Sequence, residues 1–291
     1  MILGFDFGGS KVDIGVGTSM GDLLDHRRLM VQDFPNARAV VGAAVDAGVE
    51  LQRRYDVAAI GVSTMGITLA DGVALAPNVL GWAELRLPSI FQHAFPNYPI
   101  AIDNDVRAAC SAEMLWGSMR SCQSGIYLNL GTGIAMALVF NGGIWQGMHG
   151  AAGEIAYLWE MGQAGYSRGH APFEERYGGR ALDHMIQAQF PMLGGINDLL
   201  RHQANSLVYE FTHRIFRDIA RHVGHVLLAL DVEMVSVGGG VSSQFEVFAP
   251  IFEVEWNTHL PYPPRLVPSV FRHYAGLYGA FALASRREGA K

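Results

Sequence analysis

Apolar residues recur along this chain with two periods, and the places where the period changes divide it into strands and helices. Residues 2–7, ILGFDF, are an apolar run carrying one carboxylate, Asp6. Gly8, Gly9, Ser10 and Lys11 follow at once, and Val12 to Val16 reads as a second strand. The spacing predicts a β-hairpin over 2–16 with a glycine turn. Leu23 to Val31 predicts a third strand. From Asn36 to about Tyr55, Val40, Val41, Ala44, Val45, Val49 and Leu51 fall at three-and-four spacing, a helix, and Ala58 to Ser63 returns to strand. Met65 to Trp82 is rich in Gly, Asn and Pro and lacks a helical period. It predicts a surface loop with a short hairpin, and Asn78 lies in it.

Further along the chain the period changes again. Ile100 to Ile102 is a short strand that becomes a helix at Asp103–Asn104–Asp105, with Ala108, Ala109 and Ala112 on that helix. Ile126 to Leu130 and Ala135 to Phe140 are two strands joined at Gly131, Thr132 and Gly133. Glycines recur at 141–143 and in GAAGE, which ends in Glu154. Leu158 to Gly179 is irregular, with Glu174 and Glu175 at a helix start. Ser206 to Leu230 is a long amphipathic helix ended by Asp231. Glu233 to Val237 is a strand running into Gly238, Gly239 and Gly240, and Ala275 opens a C-terminal helix of small residues.

Length and composition narrow the class. With 291 residues, 50% of them hydrophobic, the chain fills two ordinary domains or one large one, and the pattern puts a boundary near Met114–Trp116. No run of about eighteen uncharged apolar residues occurs, and the N-terminus enters a strand instead of a basic, cleavable leader, so a cytoplasmic protein without a membrane partner is expected. Two cysteines without CxxC spacing speak against a disulfide framework and a thiolate zinc site. A net charge of −6 gives no general attraction to nucleic acid. Any bound anion must be held locally.

The glycine turns supply that local means. Backbone N–H groups at Gly8–Lys11 and Gly131–Gly133 can approach a phosphate closely because glycine has no Cβ. Asp6, at a strand end beside such donors, is placed to hold a hydrated metal ion. The first turn is not a Walker loop, since Ser10 precedes Lys11 and a strand follows, and no GxGxxG follows the first strand. Asn104 and Asp105 are favoured helix caps, yet three consecutive polar residues exceed what one cap requires. Glu174 and Glu175 suit a helix start by charge alone. His213, His222 and His225 read as packing or solvent residues, because no carboxylate or Cys stands at metal spacing.

The motifs together resemble the ROK sugar kinases, which share the actin-like ATPase fold. FDFGGSK at 5–11, LAPNVLGW at 75–82, DNDVRAA at 103–109, LNLGTGIAMALVFNGGIWQGMHGAAGEI at 128–155, FEERYGGRAL at 173–182, VSVGGGVS at 235–242 and AGLYGA at 275–280 occur in that family's order. The resemblance implies an α/β fold of two ribonuclease H-like domains with a cleft between them: a smaller one at 1–114, to which helix 278–291 returns, and a larger one at 115–277. It implies a homodimer, a sugar substrate, and ATP with Mg²⁺. Asp105 would be the base that takes the proton of a sugar hydroxyl, normally the 6-OH. Asn78, Asn104, Glu154, Tyr157 and Glu174 would contact the sugar. Asp6 would hold Mg²⁺ through water, Gly8, Gly9, Ser10, Lys11, Gly131, Thr132 and Gly133 would form the phosphate loops, and Gly238, Gly239, Gly240, Ala275 and Gly276 would border the adenosine.

Two departures from the family pattern bear on substrate. Tyr157 stands where the family usually has His, and GYSRGHAP from Gly165 to Pro172 replaces a cysteine-rich zinc segment, so no structural zinc is expected. A phenol donates one hydrogen bond but does not titrate near neutrality as imidazole does. His149 or His170 could take over that contact, and Asp103 and Glu175 could meet an ammonium group on an amino sugar or simply face water. Glucose, mannose, N-acetylmannosamine and amino sugars such as 3-amino-3-deoxyglucose stay open. So do polyphosphate as donor and a non-catalytic sugar-binding regulator of the same fold, although such regulators carry a helix-turn-helix ahead of the first glycine turn.

Overall fold

A computed structural model describes residues 1–69, 72–74, 81–159 and 169–288; Asn78 and positions 165–168 of the GYSRGHAP run lie outside the described residues. The chain forms two compact units. The first comprises Met1–Arg120, Gly147–Ala151 and Tyr274–Lys291, and the second Ser121–Gln146 and Ala152–His273.

In the first unit β1 (Ile2–Phe7), β2 (Lys11–Gly17) and β3 (Leu23–Met30) make an antiparallel meander. Helix α1 (Ala37–Arg54) leads to β4 (Ala59–Thr64), which pairs parallel to β1. The hairpin β5 (Ile67–Leu69) and β6 (Gly72–Ala74) and helix α2 (Leu87–Ala94) follow. Then β7 (Ile100–Asn104) pairs parallel to β4 and passes directly into α3 (Asp105–Trp116). The sheet order is β3-β2-β1-β4-β7. The inner strand β4 is buried along its whole length and reads as a continuous run, whereas edge strand β3 carries Asp25, His26, Arg27 and Arg28, charges that discourage further pairing. Asn36 begins α1 as the cap the sequence suggests, its Oδ1 accepting from Ala39 N–H at 3.0 Å.

The two faces of this sheet are covered differently. Phe5 and Phe7 point to one side, where Phe91 of α2 meets Phe5 edge-on at 4.8 Å between ring centroids and Trp82 lies 5.4 Å from Phe7. Gly4 and Asp6 point to the other, under the C-terminal helix Ala275–Glu288. That helix lies so close that a Cβ on Gly61 would run into the Ala280 carbonyl, and one on Gly4 would sit 2.6 Å from the Phe281 ring. Glycine at these positions is a packing requirement.

The second unit repeats the scheme. β8 (Ser124–Leu130), β9 (Ile134–Phe140) and β10 (Gly143–Trp145) form the meander. Helices α4 (Pro172–Tyr177), α5 (Gly179–Gln189), α6 (Ile196–Arg201) and α7 (Ser206–Leu230) precede β11 (Met234–Gly238), which pairs parallel to β8. Helix α8 (Phe245–His259) then leads to β12 (Arg265–Pro268), parallel to β11. The order β10-β9-β8-β11-β12 is that of the first sheet, so the expected pair of ribonuclease H-like halves is present. The stretch read as irregular contains α4.

Helix α7 buries Val208, Phe211, Thr212, Ile215, Phe216, Ile219, Ala220, Val223 and Leu227, one face of a 3.6-residue period. Asn205 caps its start, and Asp231 ends it in the left-handed conformation at φ 48°. Its histidines pack or face solvent: His213 lies against Tyr209, His222 against Phe173 and Tyr177, and His225 is exposed.

Candidate functional site

One row of residues crosses the whole first sheet at a single register. Arg28 pairs with Asp13, Asp13 with Asp6, Asp6 with Ser63, and Ser63 with Asp103, so one side chain from each strand lies on one face. Every member is polar. Ser63 Oγ donates to Asp6 Oδ1 at 2.8 Å. Burial, helped by the charges of Asp105 and Asp13, pushes the Asp6 carboxyl up to about 7 against that hydrogen bond and the Lys11 charge. Gly276, at the head of the C-terminal helix, lies on the Asp6 carboxylate so closely that a Cβ there would collide with it.

Asp13 anchors the other end of the row. It is 1% exposed, with Arg28 Nε 2.6 Å and His26 Nε2 2.8 Å from Oδ1, and Lys11 Nζ 3.1 Å from Oδ2. Burial alone would raise its pKa, but the hydrogen bonds from Arg28, His26 and Lys11 outweigh that and hold it below the ordinary carboxylate value. Lys11 is therefore held at the end of the first glycine turn by a charge beneath it. In that turn Gly8 N–H donates to Lys11 O at 3.0 Å, and Gly9 and Ser10 are exposed. No sequence signal marked Asp13, because its partner Arg28 is fixed only by strand register.

The junction of β7 and α3 carries the residues expected at the chemistry. Asn104 is the cap of α3, its Oδ1 accepting from Arg107 N–H at 2.8 Å. Asp105 is the first helical residue; its Oδ1 accepts from Val106 N–H at 3.0 Å, and its charge reaches Asp6. Asp103 does not meet solvent: it is 6% exposed and bonded by Arg107 Nε at 2.7 Å. The expectation that it could receive a substrate ammonium, or simply face water, is corrected, since that carboxylate is buried and already paired with Arg107.

In the second unit Gly131 N–H donates to Gly133 O at 3.0 Å, closing the expected tight turn. The α4–α5 junction braces it. Gly179 N–H donates to Gly131 O and Arg180 N–H to Thr132 O, both at 3.0 Å, and Glu174 Oε2 accepts from Ile134 N–H at 3.1 Å. Glu174, expected at a sugar, is thus placed at the exit of the Gly131–Gly133 turn. Glu175 is half exposed and takes His170 Nδ1 at 3.3 Å and Ala171 N–H at 3.1 Å, so neither it nor His170 is uncommitted; His149 is exposed. A Cβ on Gly239, at φ 84°, would run into the Leu130 carbonyl, so the glycine triplet Gly238–Gly240 abuts the same turn. Glu154 follows Gly153, a left-handed residue at φ 90° whose carbonyl accepts from Met136 N–H at 3.0 Å, and Tyr157 ends the next 3-10 turn.

Paired five-stranded sheets of this order are those of the actin-like ATPase fold. The chain belongs to the ROK family, whose model matches residues 2–287. It is similar to a glucokinase from Aeropyrum pernix, 25% identical over 86% of this chain and 85% of the relative. It is also similar to an N-acetyl-D-glucosamine kinase from Yersinia pseudotuberculosis, 24% identical over 85% of this chain and 86% of the relative. The structure of a ROK family glucokinase from Streptomyces griseus in complex with glucose and AMPPNP superposes with a TM-score of 0.81 at 22% identity, covering 98% of this chain and 99% of that one.

Proposed function

We propose that this ROK family member is a sugar kinase that transfers the γ-phosphate of ATP to the 6-hydroxyl of a hexose or amino hexose. The observation that carries the reading is the placement of Asp105 at the head of α3, directly after the strand whose Asp103 stands in the same register row as Ser63 and Asp6. Phosphoryl transfer asks a protein to orient the nucleophile and neutralise phosphate charge, and little else. Asp105 would take the proton of the attacking hydroxyl, while the Asn104 NH₂, Glu154, Tyr157 and Glu174 would bind the sugar. Gly8–Lys11 and Gly131–Gly133 would hold phosphates, and Gly238–Gly240 with Ala275–Gly276 the adenosine.

Mg²⁺ fits the donor set. The ion is held by one or two carboxylates with waters and phosphate oxygens completing its shell. Asp6 would be one such carboxylate, reaching the ion through water; among the described residues no group of three or more His, Cys, Asp or Glu side chains could hold a metal by itself. When bound, the ion neutralises phosphate charge. Ser63 supports the ionised form of Asp6, and Lys11 adds positive charge beside it.

The test is a panel of hexoses and amino hexoses, including N-acetylated ones, assayed for sugar-dependent ADP release with ATP and Mg²⁺. Turnover of at least one sugar with product phosphorylated at the 6-position is expected. Absence of sugar-dependent ADP release across the panel would overturn the reading.

A further inference from the structure

Arg107 is 2% exposed, and a guanidinium stays charged when buried, so its position is tenable only if its donors are met. They are met on two sides. Nε and Nη2 lie 2.7 and 2.6 Å from Asp103 Oδ1, and Nη1 donates to the Gly150 carbonyl at 2.9 Å. Gly150 belongs to Gly147–Ala151, a loop that packs with the first unit although the chain on either side of it belongs to the second. Ala152 N–H closes the neck of the loop on Gln146 O at 3.1 Å, and Gly147 and Gly150 adopt φ of 71° and 69°. Glu154 is the second residue after that neck.

We propose that Arg107 is a positioning residue for sugar binding: the Asp103–Arg107–Gly150 clamp seats loop 147–151 and thereby sets the segment that presents Glu154. The proposal rests on the sugar-kinase reading. Arg107 is the third residue of the helix that begins with Asp105, so the strand end carrying Asn104 and Asp105 and the loop leading to Glu154 share one support. Asp103 serves the clamp from below, its Oδ1 also accepting Asn104 N–H at 2.7 Å. Arg107 touches no substrate in this scheme. Its removal therefore acts on sugar affinity before it acts on nucleotide affinity.

Arg107→Met and the double variant Asp103→Asn with Arg107→Met test this. The double variant leaves no orphaned carboxylate, so it separates the lost tether from the cost of an unpaired buried charge. In both, sugar KM is expected to rise about tenfold or more with ATP KM within about twofold, since small displacements of positioned groups have effects of this size. Amide exchange at 147–152 is expected to accelerate by about tenfold or more. Arg107→Lys, which can reach one partner at a time, should fall in between. An unchanged sugar KM or unchanged loop exchange in the folded double variant overturns the proposal while leaving the kinase reading intact. A wild type that phosphorylates no sugar overturns both the kinase reading and the role in sugar binding, and the exchange result then decides whether Arg107 seats the loop.

Discussion

Ser63 donates its hydroxyl to Asp6 across the β1–β4 pair at 2.8 Å, and both belong to the polar row that spans the first sheet. Burial disfavours the Asp6 carboxylate, so this hydrogen bond is the contact that most favours its ionised form. Ser63→Ala would leave Asp6 in place without that donor. We expect a loss of about 1 kcal/mol of stability and an increase of about tenfold in the Mg²⁺ concentration giving half-maximal rate, the scale seen for groups that orient a metal ligand. A Mg²⁺ titration of the variant at fixed ATP checks this; an unchanged midpoint would separate Asp6 from the metal.

Asp105→Asn should keep the fold and lose the reaction. The substituted side chain retains an oxygen able to accept from Val106 N–H, so the helix start survives, but a carboxamide cannot take up the hydroxyl proton. A fall in kcat of at least about 100-fold is expected, the lower end for a general base, with an unchanged melting transition. Near-normal turnover in the coupled assay would remove Asp105 from the base role.

Asp13 makes acid stability the measurable consequence of its cations. Its pKa is lowered from the ordinary 3.8 in the folded protein, with Arg28, His26 and Lys11 overcoming burial. A depressed carboxylate pKa stabilises the fold fully above the unfolded value, and that contribution disappears as pH falls through the folded one. Wild-type stability should therefore decline below about pH 4, and Asp13→Asn should flatten that decline. At neutral pH the variant should lose about 1–2 kcal/mol, less than for a fully buried pair, because the Arg28 and Lys11 side chains are 39% and 34% exposed. Denaturant titrations of both proteins at pH 3 to 7 measure it.

Much of the fold was legible because the signals were local. The hairpin over 2–16, the capped helix after Asn36, the Asp103–Asp105 switch from strand to helix and the long helix ended by Asp231 each announce themselves within a few residues. Helix α8 does not: it is apolar on most sides and contains Pro250, which blurs its period. Arg107 was silent for another reason. A helical arginine normally faces water, and its burial follows from a carbonyl 43 residues away. Glu174 was legible as an acidic residue at a helix start, but its hydrogen bond to Ile134 N–H depends on how α4 meets the β8–β9 turn, which no local pattern encodes.

The glycines divide into two groups that a single substitution distinguishes. At Gly61 an added methyl meets the Ala280 backbone, and neither the strand nor the C-terminal helix can give way without disturbing the other. Gly61→Ala should cost about 3 kcal/mol or more by overpacking, seen as a lower melting temperature. At Gly9 a Cβ meets nothing within 4 Å, and its φ is not in the left-handed range, so the molecule's own packing does not call for glycine there. What a methyl at Gly9 would obstruct is close approach from outside, by a phosphate reaching the turn's N–H groups. Gly9→Ala should keep stability within about 0.5 kcal/mol and raise ATP KM severalfold while sugar KM stays put. An ATP KM equal to that of the wild type would show that the first glycine turn is not a phosphate loop.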